Sequence, residues 1–113
     1  MEIKQYDIWL ADPNPARGTE PGKTRPVVIV QTDLLNDVHL STIVCPITTN
    51  VKEDILLLRV HLKKDQLQKP SDILIDQIRA IDNRRLIKRI GKLTKEQIVS
   101  LKSNISIVLD LQK

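Results

Sequence analysis

The chain has 113 residues, with 18 Lys plus Arg against 14 Asp plus Glu, a formal net charge of +4. This length suits one domain over residues 1–113, and 41% hydrophobic with 28% charged residues argues against disorder. Uninterrupted apolar runs stop at four residues, whereas a membrane span needs about 20. The single Cys45 and two distant histidines cannot form an intrachain disulfide or a structural zinc site. The composition predicts a soluble, cytoplasmic domain without a membrane segment, metal or cofactor.

Six strands are predicted from alternating or continuous apolar residues bounded by turn residues. They cover residues 3–11, 25–30, 40–47, 55–62, 72–78 and 85–92. The polar segment 12–23, with Gly18 and Gly22, is predicted to be a loop of about a dozen residues. Loops of that length are uncommon in small domains and often carry function. A second connecting loop is predicted over residues 63–71, which include Pro70 and four charges.

A C-terminal helix is predicted to begin at Thr94, because Gln97 three residues later completes a capping-box pattern. Apolar residues then recur at helical spacing and form one stripe toward a core. They are Ile98, Leu101, Ile105 and Val108. Consecutive strands with short links and one helix indicate an α+β, mostly β fold: a small antiparallel barrel closed on one side by the helix. A core of this size is marginal alone, which favours an oligomer.

The positive charge is concentrated in a basic segment, residues 79–95. It holds seven Lys or Arg against Asp82 alone, a local charge of +6, which leaves −2 for the rest of the chain. Such a segment attracts polyanions. It would equally suit an edge strand whose cationic side chains prevent aggregation. Charge alone leaves both interpretations open.

Three polar stretches interrupt the strand pattern at residues 18–26, 46–49 and 76–82. Each adjoins an apolar strand, so the three could meet at one end of a barrel. An arginine, two hydroxyls, a glutamine and carboxylates would then form a phosphate site. The alternative is structural: Thr48 and Thr49 would be turn residues, and Asp76 would hydrogen-bond the backbone.

Six motifs follow one another along the chain: Asp7-Ile8-Trp9-Leu10, Asp12-Pro13-Asn14-Pro15, Gly18-x-Glu20, Lys23-x-Arg25-Pro26-Val27, Pro46-Ile47-Thr48-Thr49 and Asp76-Gln77-Ile78-Arg79-x-Ile81-Asp82. In this order they resemble the MazF/PemK toxin family over nearly the whole chain. PemK-type members often have a histidine at the position of Thr19 and an arginine at that of Leu74, so the chain is more similar to the MazF branch.

The resemblance implies an SH3-like barrel that forms a homodimer and cleaves single-stranded RNA, including mRNA, at short sequences. It further implies that no metal or cofactor takes part and that a cognate antitoxin inhibits the enzyme. In the family's reaction the ribose 2′-hydroxyl attacks the adjacent phosphate. The products are a 2′,3′-cyclic phosphate and a free 5′-hydroxyl.

Residue by residue, the resemblance assigns cleavage to Arg25 and Thr48. A guanidinium stays charged and presents a bidentate fork to phosphate, and a hydroxyl can bind a phosphate oxygen or the reacting 2′-hydroxyl. The general base stays open, with Glu20 as a candidate. The residues expected to flank the pair and bind substrate are Thr19, Glu20, Thr49, Asp76 and Gln77.

Two other functions remain possible from the sequence. A CcdB-like toxin would share the small barrel but bind DNA gyrase without catalysis, and a plain nucleic-acid-binding barrel would use the basic segment. Fold alone does not choose between them. Outside the motifs, Cys45 is expected to be a buried, inert thiol, and His39 and His61 to be structural or exposed.

Overall fold

The computed structural model describes residues 1–12 and 24–111. Within them, seven strands, two α-helices and two 3₁₀ turns follow one another along the chain. The strands are β1 (Asp7–Ala11), β2 (Arg25–Ile29), β3 (Ser41–Thr48), β4 (Arg59–Leu62), β5 (Ser71–Leu74), β6 (Arg79–Asp82) and β7 (Leu86–Lys92). The helices are α1 (Lys64–Leu67) and α2 (Lys95–Val108), and the 3₁₀ turns are Ile75–Gln77 and Asn83–Arg85.

All strands join one antiparallel sheet in the order β4-β5-β3-β2-β1-β7, and β6 pairs with β3 off this path. The predicted α+β, mostly β class is therefore confirmed. The sheet is barrel-like but open, since its path ends at β4 and β7, so the closed barrel that was expected is corrected in that detail.

Strand β3 is the centre of the sheet because three strands pair with it. Its β2 edge is paired over 44–46, and its other edge pairs first with β6 up to Val44 and then with β5 from Ile47. Val30 N–H donates to Ile43 C=O, so odd-numbered residues of β3 direct their backbone groups toward β2. The nitrogen of Pro46, which has no hydrogen to donate, therefore faces the edge of β3 between its pairing with β6 and its pairing with β5. A proline is tolerated in this central strand for that reason.

The sheet has an apolar cluster on each face. The cluster under α2 contains Ile8, Val28, Cys45, Ile47, Val60, Leu62, Ile73, Ile75, Leu93 and Leu101. The cluster on the opposite face contains Ile3, Trp9, Ala11, Val27, Ile29, Val44, Ile81 and Leu86. Along β2 and β3, successive side chains alternate between the two clusters, as period-two geometry requires.

Helix α2 confirms the C-terminal prediction. Thr94 is its N-cap, the Gln97 backbone N–H donates to the Thr94 hydroxyl oxygen, and the Gln97 side chain accepts from the Thr94 backbone N–H. Leu101 is fully buried, and the rest of the predicted stripe packs against the cluster beneath the helix. No helix among the described residues has the length and apolar character required to cross a membrane.

Several predicted boundaries were wrong. The fourth strand covers only Arg59–Leu62, and the fifth ends at Leu74 because the chain turns into the 3₁₀ segment Ile75–Gln77. The predicted loop 63–71 contains α1, and β6 was not predicted as a strand. The predicted loop 12–23 lies, from residue 13 onward, outside the described residues.

Replacing Leu101 with alanine is expected to lower the free energy of unfolding by about 2–5 kcal/mol, because it removes a fully buried side chain between α2 and the sheet. Urea denaturation followed by circular dichroism measures the change. The control is Val99→Ala on the same helix. Val99 is 68% exposed, so its substitution should change the free energy of unfolding by no more than about 0.5 kcal/mol. Equal effects of the two substitutions would contradict the packing described here.

Candidate active site

A cleft of about 290 Å³ lies on the sheet face opposite α2, where β2 and β3 approach β5 and β6. Its floor is apolar, and its polar groups are two guanidiniums, a hydroxyl and a carboxamide. That set suits an anion such as phosphate better than a metal cation. The lining residues are Arg25, Val27, Val44, Pro46, Ile47, Thr48, Leu74, Gln77 and Arg79.

The sheet brings Arg25 and Thr48 together although 23 positions separate them in the chain. Val27 pairs with Pro46 across β2 and β3, and continuing this antiparallel register by two residues sets Arg25 opposite Thr48. Cross-strand partners point to the same face. Both side chains accordingly line the cleft, with Arg25 exposed and Thr48 half-buried.

The Thr48 side chain is held by the turn that follows it. Its hydroxyl oxygen accepts a hydrogen bond from Asn50 N–H at 3.1 Å. Because that bond occupies an acceptor site, the hydroxyl proton remains available to donate toward the cleft. Thr49 lies one residue further along and lines a neighbouring depression with Arg25 and Thr48.

Gln77 and Arg79 form the opposite wall of the cleft. Gln77 ends the 3₁₀ turn after β5, and Arg79 pairs with Val44 at the start of β6. Arg25 and Arg79 are both exposed, and neither has a carboxylate partner among residues 1–12 and 24–111. Within the described part of the chain, two guanidiniums without a carboxylate partner therefore face one small cleft.

The predicted substrate-binding residues do not all meet at this cleft. Gln77 lines it, and Thr49 lines the adjoining depression. Asp76 is exposed on the same 3₁₀ turn but is not among the lining residues. Thr19 and Glu20 lie outside the described residues, so their predicted contacts remain predictions.

Arg79 is the polar cleft residue to which the sequence analysis assigned no role in the site. It belongs to one of the matching motifs and to the basic segment, but its position beside β3 depends on strand β6, which was not predicted. The rest of the basic segment is partly neutralised by two ion pairs, Arg84 with Asp82 at 3.0 Å and Arg89 with Asp7 at 2.8 Å. Hydrogen bonds from Arg84 lower the pKa of the Asp82 carboxyl. Strand β7, which holds Arg89, is an end strand of the sheet, as the aggregation-preventing interpretation expects.

Cys45 lies on β3 beneath the cleft, on the face covered by α2. It is fully buried, and desolvation, with a smaller contribution from the nearby Asp76 carboxylate, raises the pKa of its thiol to about 12. A buried thiol with a raised pKa is a poor nucleophile. The expectation of an inert cysteine agrees with this environment.

Comparison with known proteins assigns the family. Residues 4–109 match the model of the PemK-like, MazF-like toxins of type II toxin-antitoxin systems. The chain belongs to this family. It is 35% identical to the endoribonuclease MazF of Staphylococcus epidermidis over 111 residues, which cover 96% of this chain and 92% of the relative. The prediction of an endoribonuclease of this family is thus confirmed at the level of the family.

Solved structures agree with the assignment. The Mycobacterium tuberculosis toxin MazF-mt6 superimposes with a TM-score of 0.79 at 27% identity, covering 95% of this chain and 99% of that one. A MazE-MazF structure from Deinococcus radiodurans gives a TM-score of 0.83 at 19% identity and covers 97% of both chains. The latter likeness concerns the fold alone.

Cys45 in the native MazF-like toxin is expected to resist modification by the thiol reagent 5,5′-dithiobis(2-nitrobenzoate) at pH 8, because it is buried and almost entirely protonated there. Absorbance at 412 nm follows the reaction. One equivalent should react promptly in 6 M guanidinium chloride, which is the control. Prompt reaction of the native protein would contradict the burial and the raised pKa.

Proposed function

We propose that this MazF-like toxin cleaves single-stranded RNA, including mRNA, at short sequences within the cleft. The reaction needs no metal and leaves 2′,3′-cyclic phosphate and 5′-hydroxyl ends. The observation that carries the proposal is the presence of Arg25 and Thr48, from separate strands, on one cleft wall. Membership of an endoribonuclease family supports RNA cleavage, and Arg25 and Thr48 offer a cation and a hydroxyl suited to this reaction.

The chemistry follows from charge. As the ribose 2′-oxygen attacks the adjacent phosphorus, its proton passes to a general base, and negative charge builds on the non-bridging oxygens. The bond to the 5′-oxygen then breaks, and that oxygen takes up a proton from the protonated base or from water, so no net proton is gained or lost. Arg25 offers two parallel N–H donors to the charged oxygens, and such charge-assisted bidentate contacts are among the strongest hydrogen bonds. Thr48 has a hydroxyl proton available to bind a phosphate oxygen, and the hydrogen bond from Asn50 N–H holds the hydroxyl oxygen in place.

The neighbouring residues would hold the rest of the substrate. Arg79 lies on the opposite wall and supplies a second cation for the RNA backbone. Gln77 presents an amide that can both donate to and accept from a base edge. Thr49, Asp76, Thr19 and Glu20 are retained as proposed substrate contacts, with Glu20 as the candidate general base.

The protein partners are also part of this proposal. A mycobacterial endoribonuclease with a similar fold has been solved with its cognate antitoxin, and Deinococcus radiodurans MazF with MazE. We extend this to the present chain as a homodimer held inactive by an acidic antitoxin. A CcdB-like gyrase toxin is the second candidate, but a gyrase-binding surface does not require two arginines and a hydroxyl around one cleft.

Arg25→Ala is expected to lower kcat for RNA cleavage by about 10²–10³-fold, because it removes the donor aimed at the developing charge. Thr48→Val, which keeps the shape and removes the hydroxyl, should also lower kcat. Cleavage of a long RNA in EDTA, with the new 5′ ends mapped, measures both effects.

Lys102→Ala is the control for charge, because Lys102 is exposed on α2, on the other side of the sheet. Its activity should match that of the native chain. Intact RNA together with inhibition of DNA gyrase would favour the CcdB-like alternative. Cleavage that requires added Mg²⁺ would contradict the metal-free reaction.

The complex with the cognate antitoxin is expected to weaken as salt rises, because an acidic segment would bind the cationic surface. Isothermal titration calorimetry between 50 and 500 mM NaCl measures the dissociation constant. A dissociation constant that does not change over this range would show that the electrostatic contribution is absent.

A further inference from the structure

A row of polar side chains continues from the cleft across the next two strands. Thr48 of β3 pairs with Asp72 of β5, and Asp72 pairs with His61 of β4. Cross-strand partners share a face, so these three side chains lie on the same face as Arg25. The row therefore runs from the proposed catalytic pair to a histidine that the proposed mechanism does not use.

Asp72 is fully buried, and both of its carboxylate oxygens are occupied. Oδ1 contacts Nδ1 of His61, while Oδ2 accepts from Arg59 Nη1 and from Lys52 N–H, each at 3.0 Å. Arg59 Nη1 also donates to Asn50 C=O at 2.6 Å. The carboxylate thus joins β4 and β5 to the segment after Thr48.

The position of the proton on His61 follows from its partner. A carboxylate only accepts, so Nδ1 carries the hydrogen that faces Asp72, and Nε2 has no hydrogen-bond partner among the described residues. The His61 side chain is 47% exposed, whereas Arg59 is 14% exposed. In the neutral ring Nε2 is only an acceptor, whereas the cationic ring donates from both nitrogens, one to Asp72 and one to an external acceptor. A contact from Nε2 to a phosphate oxygen therefore uses the cationic ring. Arg59 forms an ion pair with Asp72 and offsets its charge, so the pair beside His61 carries no net charge.

We propose that His61 binds an RNA backbone phosphate beside the scissile one, with Asp72 and Arg59 as positioning residues. The inference rests on the proposed function and extends it along the substrate. Two strand spacings separate Thr48 from His61, about 10 Å between their Cα atoms, so the two side chains serve different nucleotides. Aromatic residues are only 2% of the chain, which leaves polar contacts to hold single-stranded RNA.

The test uses an RNA whose 2′-hydroxyl at the cleavage site is replaced by hydrogen, so that binding is measured without cleavage. His61→Ala should raise its dissociation constant about tenfold, the size expected for one hydrogen bond to a charged group. On cleavable RNA, KM should rise similarly while kcat under saturation changes less than threefold. The RNA is then shortened one nucleotide at a time from each end. The difference in dissociation constant between the native chain and His61→Ala should disappear at the length that lacks the contacted phosphate.

His61→Phe and His39→Ala are the matched variants. The phenylalanine ring can stack but cannot donate, so His61→Phe should bind as weakly as His61→Ala. His39 is exposed before the opposite end of β3, and His39→Ala should bind like the native chain. For each variant, a thermal unfolding midpoint close to that of the native chain shows that the fold is retained.

Three results would overturn the inference. Unchanged RNA affinity of His61→Ala would assign His61 a structural role. If His61→Phe binds RNA as tightly as the native chain, the ring of His61 acts by stacking and not by a phosphate contact. If His61→Ala lowers only kcat, His61 takes part in the cleavage chemistry. If the native chain neither binds nor cleaves RNA, the proposed function itself fails, which the His61 variants cannot cause.

Discussion

The antiparallel pairing of β3 on both of its edges is the constraint on which the cleft depends. β2 on one edge supplies Arg25, and β5 and β6 on the other supply Leu74 and Arg79. Because each cleft wall belongs to a hydrogen-bonded strand or to a turn that joins two strands, the proposed catalytic groups are held by the sheet. Groups on rigid elements keep the geometry that electrostatic stabilisation of a transition state requires.

Side chains of β3 alternate between the two faces of the sheet. Cys45 packs into the cluster under α2, while Val44, Pro46 and Thr48 lie on the cleft face. Val44 also belongs to the buried cluster on that face, and Ile47 packs under α2 while bordering the cleft, so a large-to-small change at either residue costs packing free energy as well as altering the site. Helix α2 packs on the other face of the sheet and contributes no residue to the described cleft lining.

The sequence predicted the features that depend on local pattern. Alternation located β1 to β3, and the Thr94–Gln97 pair located the start of α2. It could not predict that β3 changes partner at Pro46, because pairing partners are set by tertiary contacts that no local pattern encodes. The prediction of a strand over residues 55–58 was wrong for the same reason. These residues are apolar, but they are not paired with a neighbouring strand and so do not form a β-strand. Arg79 was missed because its placement depends on β6.

The Asp72 cluster shows how a buried charge can serve a site without touching substrate. Burying a carboxylate is costly unless donors surround it, and here Arg59, His61 and the Lys52 backbone supply them. Arg59 in turn holds Asn50 C=O, and Asn50 N–H holds the Thr48 hydroxyl, so a continuous series of hydrogen bonds runs from the cluster to the cleft. Loss of the carboxylate would therefore release the turn after Thr48 as well as the ring of His61. The position of one proposed catalytic hydroxyl thus depends on an ion pair between the next two strands, β5 and β4.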